Sequence, residues 1–227
     1  MPWVRGLAVR IECIEAAFSP NNFRAFRLEP ANGEPANRDP GVPRGDEELR
    51  RRPDSDRLST VFRLTVRQSP IGPLTLAARA DLLVMVRFGD EREHAERFLH
   101  RQEPSAAIVE HRDPAGASTA LDHYFTGDLA ALDRLQVEFY GTDFQRRVWT
   151  ALREIGAGRT ASYLDIASSI GAPSAVRAVG AANGANPIPI VVPCHRIIGT
   201  SGTLVGYGGG LDRKRWLLEH EGVLLKI

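Results

Sequence analysis

The sequence predicts an α+β fold in which a strand-rich part is followed by a mainly helical part. Two observations support this prediction. From Thr60, three apolar segments alternate at strand spacing and are separated by short turns. From Thr142, apolar residues recur at helical spacing. We therefore divide the chain into residues 1–59, 60–140 and 141–227, and its 43% hydrophobic content is enough for a genuine core.

Residues 1–59 are expected to form an N-terminal extension without a stable fold. Residues 19–59 hold six of the 15 prolines and the charged run EELRRRPDSDR, with almost no periodic apolar pattern. Such a composition buries too little apolar surface to offset the entropy lost on ordering. The earlier piece VRIECIEAAF is compatible with a short strand or helix.

Residues 60–140 begin with three strand candidates, VFRLTV, LTLAAR and LLVMVRF. The turn SPIGP joins the first two, and the pair Ala80 and Asp81 joins the last two tightly, which indicates an antiparallel β-meander. Two helical patterns follow, DEREHAERFLH and AGASTALDHYFTG, and the second ends before Gly127.

The helical part opens with TDFQRRVWTALREIGAG, for which Thr142 or Asp143 is the expected cap. One apolar stripe follows along this helix, formed by Phe144, Val148, Leu152 and Ile155.

Two short helices are expected next, the first over residues 163–170 and the second from a Ser174 cap to residues 183–184. A turn containing Gly171 joins them, which is the arrangement of a helix-turn-helix. An ordinary helical hairpin packed in a core has the same spacing, so both interpretations stay open.

The second helix of this pair has a smooth outer face made of Ala178, Gly180 and Ala181, with Arg177 as its one long side chain. A helix is about 10–12 Å wide, whereas the minor groove of DNA is about 6 Å wide. Small side chains would let the helix approach such a groove closely. A helix that packs against another helix would be equally smooth.

The charge and cysteine content narrow the class of protein. A net charge of +1 excludes a strongly basic protein that coats nucleic acid. Residues 141–227 are nevertheless locally basic, with ten basic against six acidic side chains. No apolar run approaches the roughly 18 residues of a membrane span, and no signal-peptide pattern opens the chain. Because Cys13 and Cys194 show no paired spacing, we expect a soluble protein of the reducing cytoplasm.

The stretch VVPCHRIIGT places Cys194 between Pro193 and His195. Only the thiolate of cysteine is nucleophilic, and an ordinary thiol with a pKa of about 8.5 needs a base at neutral pH. Neighbouring side chains of an extended strand point apart, so contact with His195 requires a turn or a bridging water. Glu221, near the end of the last helical segment, is available to orient the imidazole.

A lone cysteine is commonly a small buried apolar residue, but the flanking Pro193 and His195 favour a reactive thiol. The residues alone leave three interpretations of Cys194. It could serve a cysteine hydrolase, a redox-sensing DNA-binding protein, or a transferase that keeps the transferred group on sulfur.

The ordered pattern SYLDIA, AVRAVGAANGANP, IPIVVPCHRII and GTLVGYGGGLDRKRWLLEHEG closely resembles the O6-alkylguanine-DNA alkyltransferases, or methylated-DNA protein-cysteine methyltransferases. The resemblance is nearly continuous over residues 142–225. It implies a ribonuclease-H-like domain over 60–140 and a DNA-binding, alkyl-acceptor domain over 141–227. It also implies single-turnover repair, in which an alkyl group passes from O6-alkylguanine, and O4-alkylthymine, in a flipped nucleotide of duplex DNA to the protein.

The resemblance implies a catalytic role for each of five residues. Cys194 matches the alkyl acceptor, His195 the residue that takes the thiol proton through a water, and Glu221 the carboxylate that supports it. Asn186 matches the asparagine that holds the active-site turn. Tyr163 matches the tyrosine that helps to rotate the target nucleotide and donates to the leaving guanine.

The resemblance also implies the DNA contacts and the substrate pocket. Arg177 matches the arginine that fills the gap left by the flipped base, and the smooth helix around it would lie in the minor groove. Val205, Tyr207 and Gly208 match the loop around the guanine. Gly208 stands where some members have a serine that bonds O6, so that contact is expected to be absent or made by backbone amides. The glycines of VGYGGG predict a pliable rim that tolerates larger alkyl groups.

No cofactor or metal is expected. Some relatives bind zinc through N-terminal cysteines and histidines, but Cys13 is the only cysteine before the helical part. The chain also lacks the second acceptor cysteine of the larger adaptive-response regulators, which argues against a role in transcription. We expect a monomer, and cooperative binding along DNA stays open.

Overall fold

The computed structural model describes residues 60–224. The predictions for residues 1–59, including the piece VRIECIEAAF, lie outside the described residues. Within the described part, no helix is long and apolar enough to cross a membrane. The predicted α+β fold is confirmed, with a sheet and two helices followed by four further helices.

The sheet has four strands in the order β3-β2-β1-β4. Their bounds are β1 Val61–Arg67, β2 Leu74–Arg79, β3 Leu82–Phe88 and β4 Ala107–Glu110. The first three form the predicted antiparallel meander. Strand β4 pairs in parallel with β1 and was not predicted. It is four residues long and mostly exposed, so its sequence shows no alternating apolar pattern.

Helices cover both faces of this sheet. Helix α1, Arg92–Gln102, connects β3 to β4 and buries Ala95 and Leu99 against Phe62 and Leu64 of β1. Helix α2, Ala117–Phe125, lies in the larger core on the other face and buries Leu121 and Tyr124.

The larger core continues without interruption into the helical part. Its helices are α3 Asp143–Arg153, α4 Tyr163–Ser169, α5 Val176–Gly184 and α6 Leu211–His220. Buried residues of β2, β3 and α2 share this core with residues of α3, α5 and α6. The strand-rich and helical parts therefore stabilise each other through one apolar cluster.

Helix α3 begins at the predicted Thr142 cap. The Thr142 hydroxyl accepts from the Gln145 backbone N–H, and the Gln145 side-chain oxygen accepts from the Thr142 N–H at 2.9 Å. Of the predicted stripe, Val148 and Leu152 are fully buried. Trp149, which the stripe did not include, is 1% exposed, and its ring N–H donates to the Ala182 carbonyl of α5 at 2.8 Å.

The predicted helix-turn-helix is present as α4 and α5. Gly171 lies between them with φ of 70°, a left-handed conformation that glycine adopts without strain. The prediction that Ser174 caps the second helix is wrong. Pro173 starts a 3-10 turn over Pro173–Ala175, so Ser174 lies inside this turn, and α5 begins only at Val176 without a side-chain cap.

Trp149→Phe should lower the free energy of unfolding by about 2–4 kcal/mol, because it leaves the buried Ala182 carbonyl unpaired and a small cavity between α3 and α5. Urea unfolding of the full chain measures this change. Trp216→Phe is the matched control, since Trp216 is only partly buried, and it should cost less than half as much. Equal losses for the two variants would contradict the role of the Trp149 hydrogen bond.

Candidate active site

The turn required by the sequence is present at the thiol. Residues Cys194–Arg196 form one 3-10 turn directly after Pro193, and Cys194 is 5% exposed. Asn186 braces the approach to this turn, because its amide nitrogen donates to the Val192 carbonyl at 2.8 Å. Its amide oxygen accepts from the Ile188 N–H at 3.0 Å.

Ile190 lies within the segment that Asn186 braces and has an unusual backbone. Its φ is 75°, a left-handed value that is sterically unfavourable for a β-branched residue. The residue is 1% exposed, and the neighbouring Val192 N–H donates to the Ile188 carbonyl at 2.8 Å. Packing and hydrogen bonds therefore hold a strained backbone four residues before the thiol.

The carboxylate of Glu221, at the end of α6, accepts four buried hydrogen bonds. His195 Nε2, Arg196 Nη2 and the Tyr124 hydroxyl donate to Oε1 at 2.9, 2.9 and 2.8 Å. Arg196 Nε donates to Oε2 at 2.9 Å. Burial by itself raises the pKa of Glu221, but the bonds from His195 and Arg196 outweigh it and hold this pKa far below its usual value. Glu221 is therefore ionised.

An ionised Glu221 fixes the tautomer of His195. The carboxylate only accepts hydrogen bonds, so the proton of the imidazole must lie on Nε2. Burial lowers the pKa of His195 below 6.5 even though Glu221 acts to raise it, so the ring is neutral at pH 7. Its Nδ1 is buried and has no hydrogen-bond partner within residues 60–224. That nitrogen carries a lone pair and is available as a base.

The Cys194 thiol is protonated at neutral pH. Burial raises its pKa to about 11, while Asn186, the charge of Lys214 and Tyr207 act to lower it. The thiol must therefore lose its proton during the reaction rather than before it.

Sequence reasoning missed Lys214, which is fully buried. Its ammonium group donates to the carbonyls of Ile197 and Val205, the latter at 2.9 Å, and burial lowers the pKa of Lys214 to about 8. The run LDRKRW looks like a solvated helix face. A signal was present, since residues 214, 217, 218 and 221 follow helical spacing and all four are buried.

Two tyrosines lie near the thiol. Tyr163, at the start of α4, is partly exposed, and burial followed by the charge of Cys194 raises its pKa. The Tyr207 hydroxyl is buried and has no hydrogen-bond partner among the described residues. Burial, followed by Cys194, raises the pKa of Tyr207 well above 10. Both hydroxyls therefore stay protonated and can donate to an incoming group.

The pocket loop, residues 205–210, is less pliable than predicted. Gly208 is exposed, and a Cβ added there would meet no atom within 4 Å. Gly209, however, is buried, and a Cβ at this position would lie 2.5 Å from the Phe88 ring. Arg213 donates to the Gly209 carbonyl at 2.9 Å, and Lys214 donates to the Val205 carbonyl. The prediction of a loose rim is wrong at Gly209, because Phe88 of β3 and two side chains of α6 hold the loop.

The smooth face of α5 lies where the sequence placed it. Arg177, Ala178 and Ala181 are exposed, and Gly180 is partly covered beside Tyr163, whose ring is 3.9 Å from an added Cβ. Arg177 makes no ion pair within residues 60–224. No group of three or more His, Cys, Asp or Glu side chains in the same range is arranged to hold a metal ion.

Fold and site together define a two-part α+β protein in which a helix-turn-helix adjoins one buried cysteine and a neutral histidine. The family model described as "6-O-methylguanine DNA methyltransferase, DNA binding domain" matches residues 143–223. The model described as "6-O-methylguanine DNA methyltransferase, ribonuclease-like domain" matches residues 62–139. The chain belongs to the 6-O-methylguanine DNA methyltransferase family.

Curated relatives and solved structures agree with this assignment. The methylated-DNA–protein-cysteine methyltransferase of Salmonella typhimurium is 48% identical over 160 residues, which are 69% of this chain and 94% of that protein. The protein of the same name from Mycobacterium tuberculosis is 50% identical over 67% of this chain and 88% of its own length. A crystal structure of Mycobacterium tuberculosis OGT in complex with DNA has a TM-score of 0.57 at 46% identity. The match covers 71% of this chain and 92% of the Mycobacterium tuberculosis chain.

Glu221→Gln should lower the free energy of unfolding at pH 7 by about 3–5 kcal/mol, because it leaves Arg196 buried without its counter-charge. The pKa of Glu221 is depressed in the folded state. The ionised carboxylate therefore contributes its full stabilisation above pH 4.5, the ordinary pKa of a glutamate. This contribution is lost progressively as the pH falls below 4.5. The stability difference between the natural protein and the variant should shrink in acid.

Urea unfolding from pH 7 to pH 3 measures this difference. The control is Glu219→Gln, which removes an exposed carboxylate from the same helix and should change stability little at any pH. A difference for Glu221→Gln that stays constant down to pH 3 would contradict the depressed pKa.

Proposed function

We propose that this chain repairs DNA by transferring the alkyl group of O6-alkylguanine in duplex DNA to Cys194, once per molecule. O4-alkylthymine is a second substrate under this proposal. The observation that carries it is that the buried Cys194 thiol and a neutral His195, whose Nδ1 has no partner in residues 60–224, are consecutive residues of one 3-10 turn. The names of relatives that are about half identical to this chain support the same activity.

The target base must leave the helix before it can reach a buried thiol. Guanine O6 is paired inside the duplex, and extrusion of the nucleotide costs a few kcal/mol of stacking and pairing energy. We propose that the smooth face of α5 lies in the minor groove, where small side chains permit close approach. Arg177, as the one long side chain on that face, enters the duplex and fills the gap, while Tyr163 helps to rotate the nucleotide.

In the transfer step, His195 Nδ1 takes the thiol proton through a water molecule, and Glu221 stabilises the imidazolium that forms. The sulfur attacks the alkyl carbon, and the bond between this carbon and O6 breaks with its electron pair staying on guanine. The Tyr163 hydroxyl donates to the leaving base and stabilises the developing negative charge. Val205, Tyr207 and Gly208 line the pocket that holds this base.

The product explains the single turnover. Sulfur and the alkyl carbon form a thioether, which no neighbouring group can hydrolyse, so the acceptor is not regenerated. The thiol pKa of about 11 fits this role, because an unassisted thiol at neutral pH reacts slowly with other electrophiles. Neither a cofactor nor a metal enters the step.

Two other functions fit the site less well. A binding module that only flags the lesion needs no acceptor, and the presence of Cys194 beside His195 argues against it. A cysteine hydrolase would return a free thiol after each cycle, whereas the buried setting of Cys194 favours a product that stays on sulfur.

We also propose that the two parts of the chain have different functions. We assign DNA contact and alkyl acceptance to residues 141–227 and a supporting role to residues 60–140. The family models described as DNA binding and ribonuclease-like support this division. A monomeric state and a cytoplasmic location stay predictions from the sequence.

After incubation with duplex DNA containing O6-methylguanine, the peptide that holds Cys194 should gain about 14 Da, the mass of one CH2 group. Mass spectrometry measures this gain, and the peptide that holds Cys13 serves as an internal control. Cys194→Ala should abolish the transfer and leave the affinity for the same duplex unchanged. Complete loss of the lesion with an unmodified Cys194 would overturn the proposal.

Arg177→Ala should slow transfer from duplex DNA by roughly tenfold or more and leave transfer from single-stranded DNA nearly unchanged, because only the duplex must be opened. The ratio of the two single-turnover rate constants isolates this effect. Arg97→Ala, which removes an exposed arginine from α1, is the control and should leave the ratio unchanged. An equal loss on both substrates would show that Arg177 contributes general affinity rather than base extrusion.

A further inference from the structure

We infer that Phe88, the last residue of β3, is a positioning residue that fixes the pocket loop and limits the size of the alkyl group that the site accepts. This inference rests on the function proposed above. It assigns the control of substrate size to a side chain of the strand-rich part, which lies outside the segment that carries the acceptor.

The first support is the packing of Phe88 against two residues of the pocket loop. The rings of Phe88 and Tyr207 meet edge to face with their centroids 5.8 Å apart. A Cβ on Gly209 would lie 2.5 and 2.8 Å from two atoms of the Phe88 ring and 2.8 Å from the Tyr207 ring. Real Cβ atoms do not approach other atoms so closely, so only glycine fits between these two rings.

The second support is the way in which Arg213 clamps the same assembly. Its guanidinium lies over the Phe88 ring, 5.2 Å from the centroid. The same group donates to the Gly209 carbonyl at 2.9 Å and to the Ile71 carbonyl, in the turn between β1 and β2, at 2.8 Å. One cation thus joins the pocket loop to two elements of the sheet and holds Phe88 between them.

Tyr207 connects this assembly to the reaction. Its buried hydroxyl lies close enough to Cys194 for each group to shift the pKa of the other. Under the proposed function Tyr207 belongs to the loop around the guanine, and the Phe88 ring packs edge to face against it with the centroids 5.8 Å apart. With Phe88 in place, Tyr207 cannot move away from a bulky substituent into the space that the Phe88 ring fills.

The test compares rate constants for O6-methylguanine and O6-benzylguanine in the same duplex sequence. Phe88→Ala removes the support, so benzyl transfer should rise relative to methyl transfer by roughly tenfold, the order of discrimination that an apolar pocket achieves for small size differences. Phe88→Leu, a milder change that keeps the fold, should shift the ratio in the same direction. Phe62→Leu is the matched control, because Phe62 is buried in the separate cluster under α1, and it should leave the ratio unchanged.

A second pair of variants tests the contact itself. Gly209→Ala should push Tyr207 toward the thiol and slow both substrates, the benzyl group more than the methyl group. Adding Phe88→Ala to Gly209→Ala removes the two Phe88 ring atoms that the new methyl group meets and leaves space into which the Tyr207 ring, the third close contact, can move. Transfer should therefore be restored. A merely structural role for Phe88 would instead make the double variant slower than either single variant.

The outcomes separate this inference from the proposed function. An unchanged benzyl-to-methyl ratio in both Phe88 variants, or a Gly209→Ala defect that Phe88→Ala does not relieve, would overturn the inference while transfer by the natural protein stands. Failure of the natural protein to place either group on Cys194 would overturn the proposed function as well.

Discussion

The structure depends first on one buried carboxylate. Glu221 gathers hydrogen bonds from the active-site turn through His195 and Arg196, and from the strand-rich part through Tyr124. A buried charge is tolerated only when it is paired and its lone pairs are satisfied, and all four of these bonds are in place. Because the carboxylate stays ionised, it dictates which nitrogen of His195 holds the proton. The hydrogen bonds that stabilise the charge of Glu221 therefore also fix the tautomer of the histidine next to the Cys194 thiol.

Tyr124 is also held by more than one hydrogen bond. Consecutive residues at the end of α6 hold this tyrosine at both ends, since His220 Nε2 donates to its carbonyl at 2.8 Å and Glu221 accepts from its hydroxyl. The pocket loop has an equivalent tie through Phe88 and Arg213. His195 and the pocket loop are therefore each tied to a residue outside 141–227, His195 to Tyr124 through Glu221 and the loop to Phe88 directly. The strand-rich part therefore helps to position the active-site turn and the pocket loop.

Much of this arrangement was predictable from sequence. Alternation predicted β1 to β3, helical spacing predicted the helices, and the Pro-Cys-His-Arg motif pointed to Cys194 and His195 as the proposed acceptor and base. What escaped was decided by tertiary contacts. Strand β4 is too short for an alternating pattern to be detected. Lys214 is buried, although it lies in a run of charged residues that is typical of an exposed helix face. Pro173 starts a 3-10 turn that contains Ser174, so the cap expected at Ser174 does not form. The packing of Gly209 against Phe88 joins residues 121 positions apart, and no local pattern reports such a pair.

The uninterrupted core has a consequence for how such a protein can evolve. Residues of β2, β3 and α2 fill the same apolar cluster as residues of α3, α5 and α6, and Tyr124 completes the shell of Glu221. A gene fusion or truncation that separated the two parts would expose this cluster and remove one donor from the carboxylate. A lineage that discarded the sheet would therefore have to rebuild both a solvent-compatible surface and a substitute for that hydroxyl.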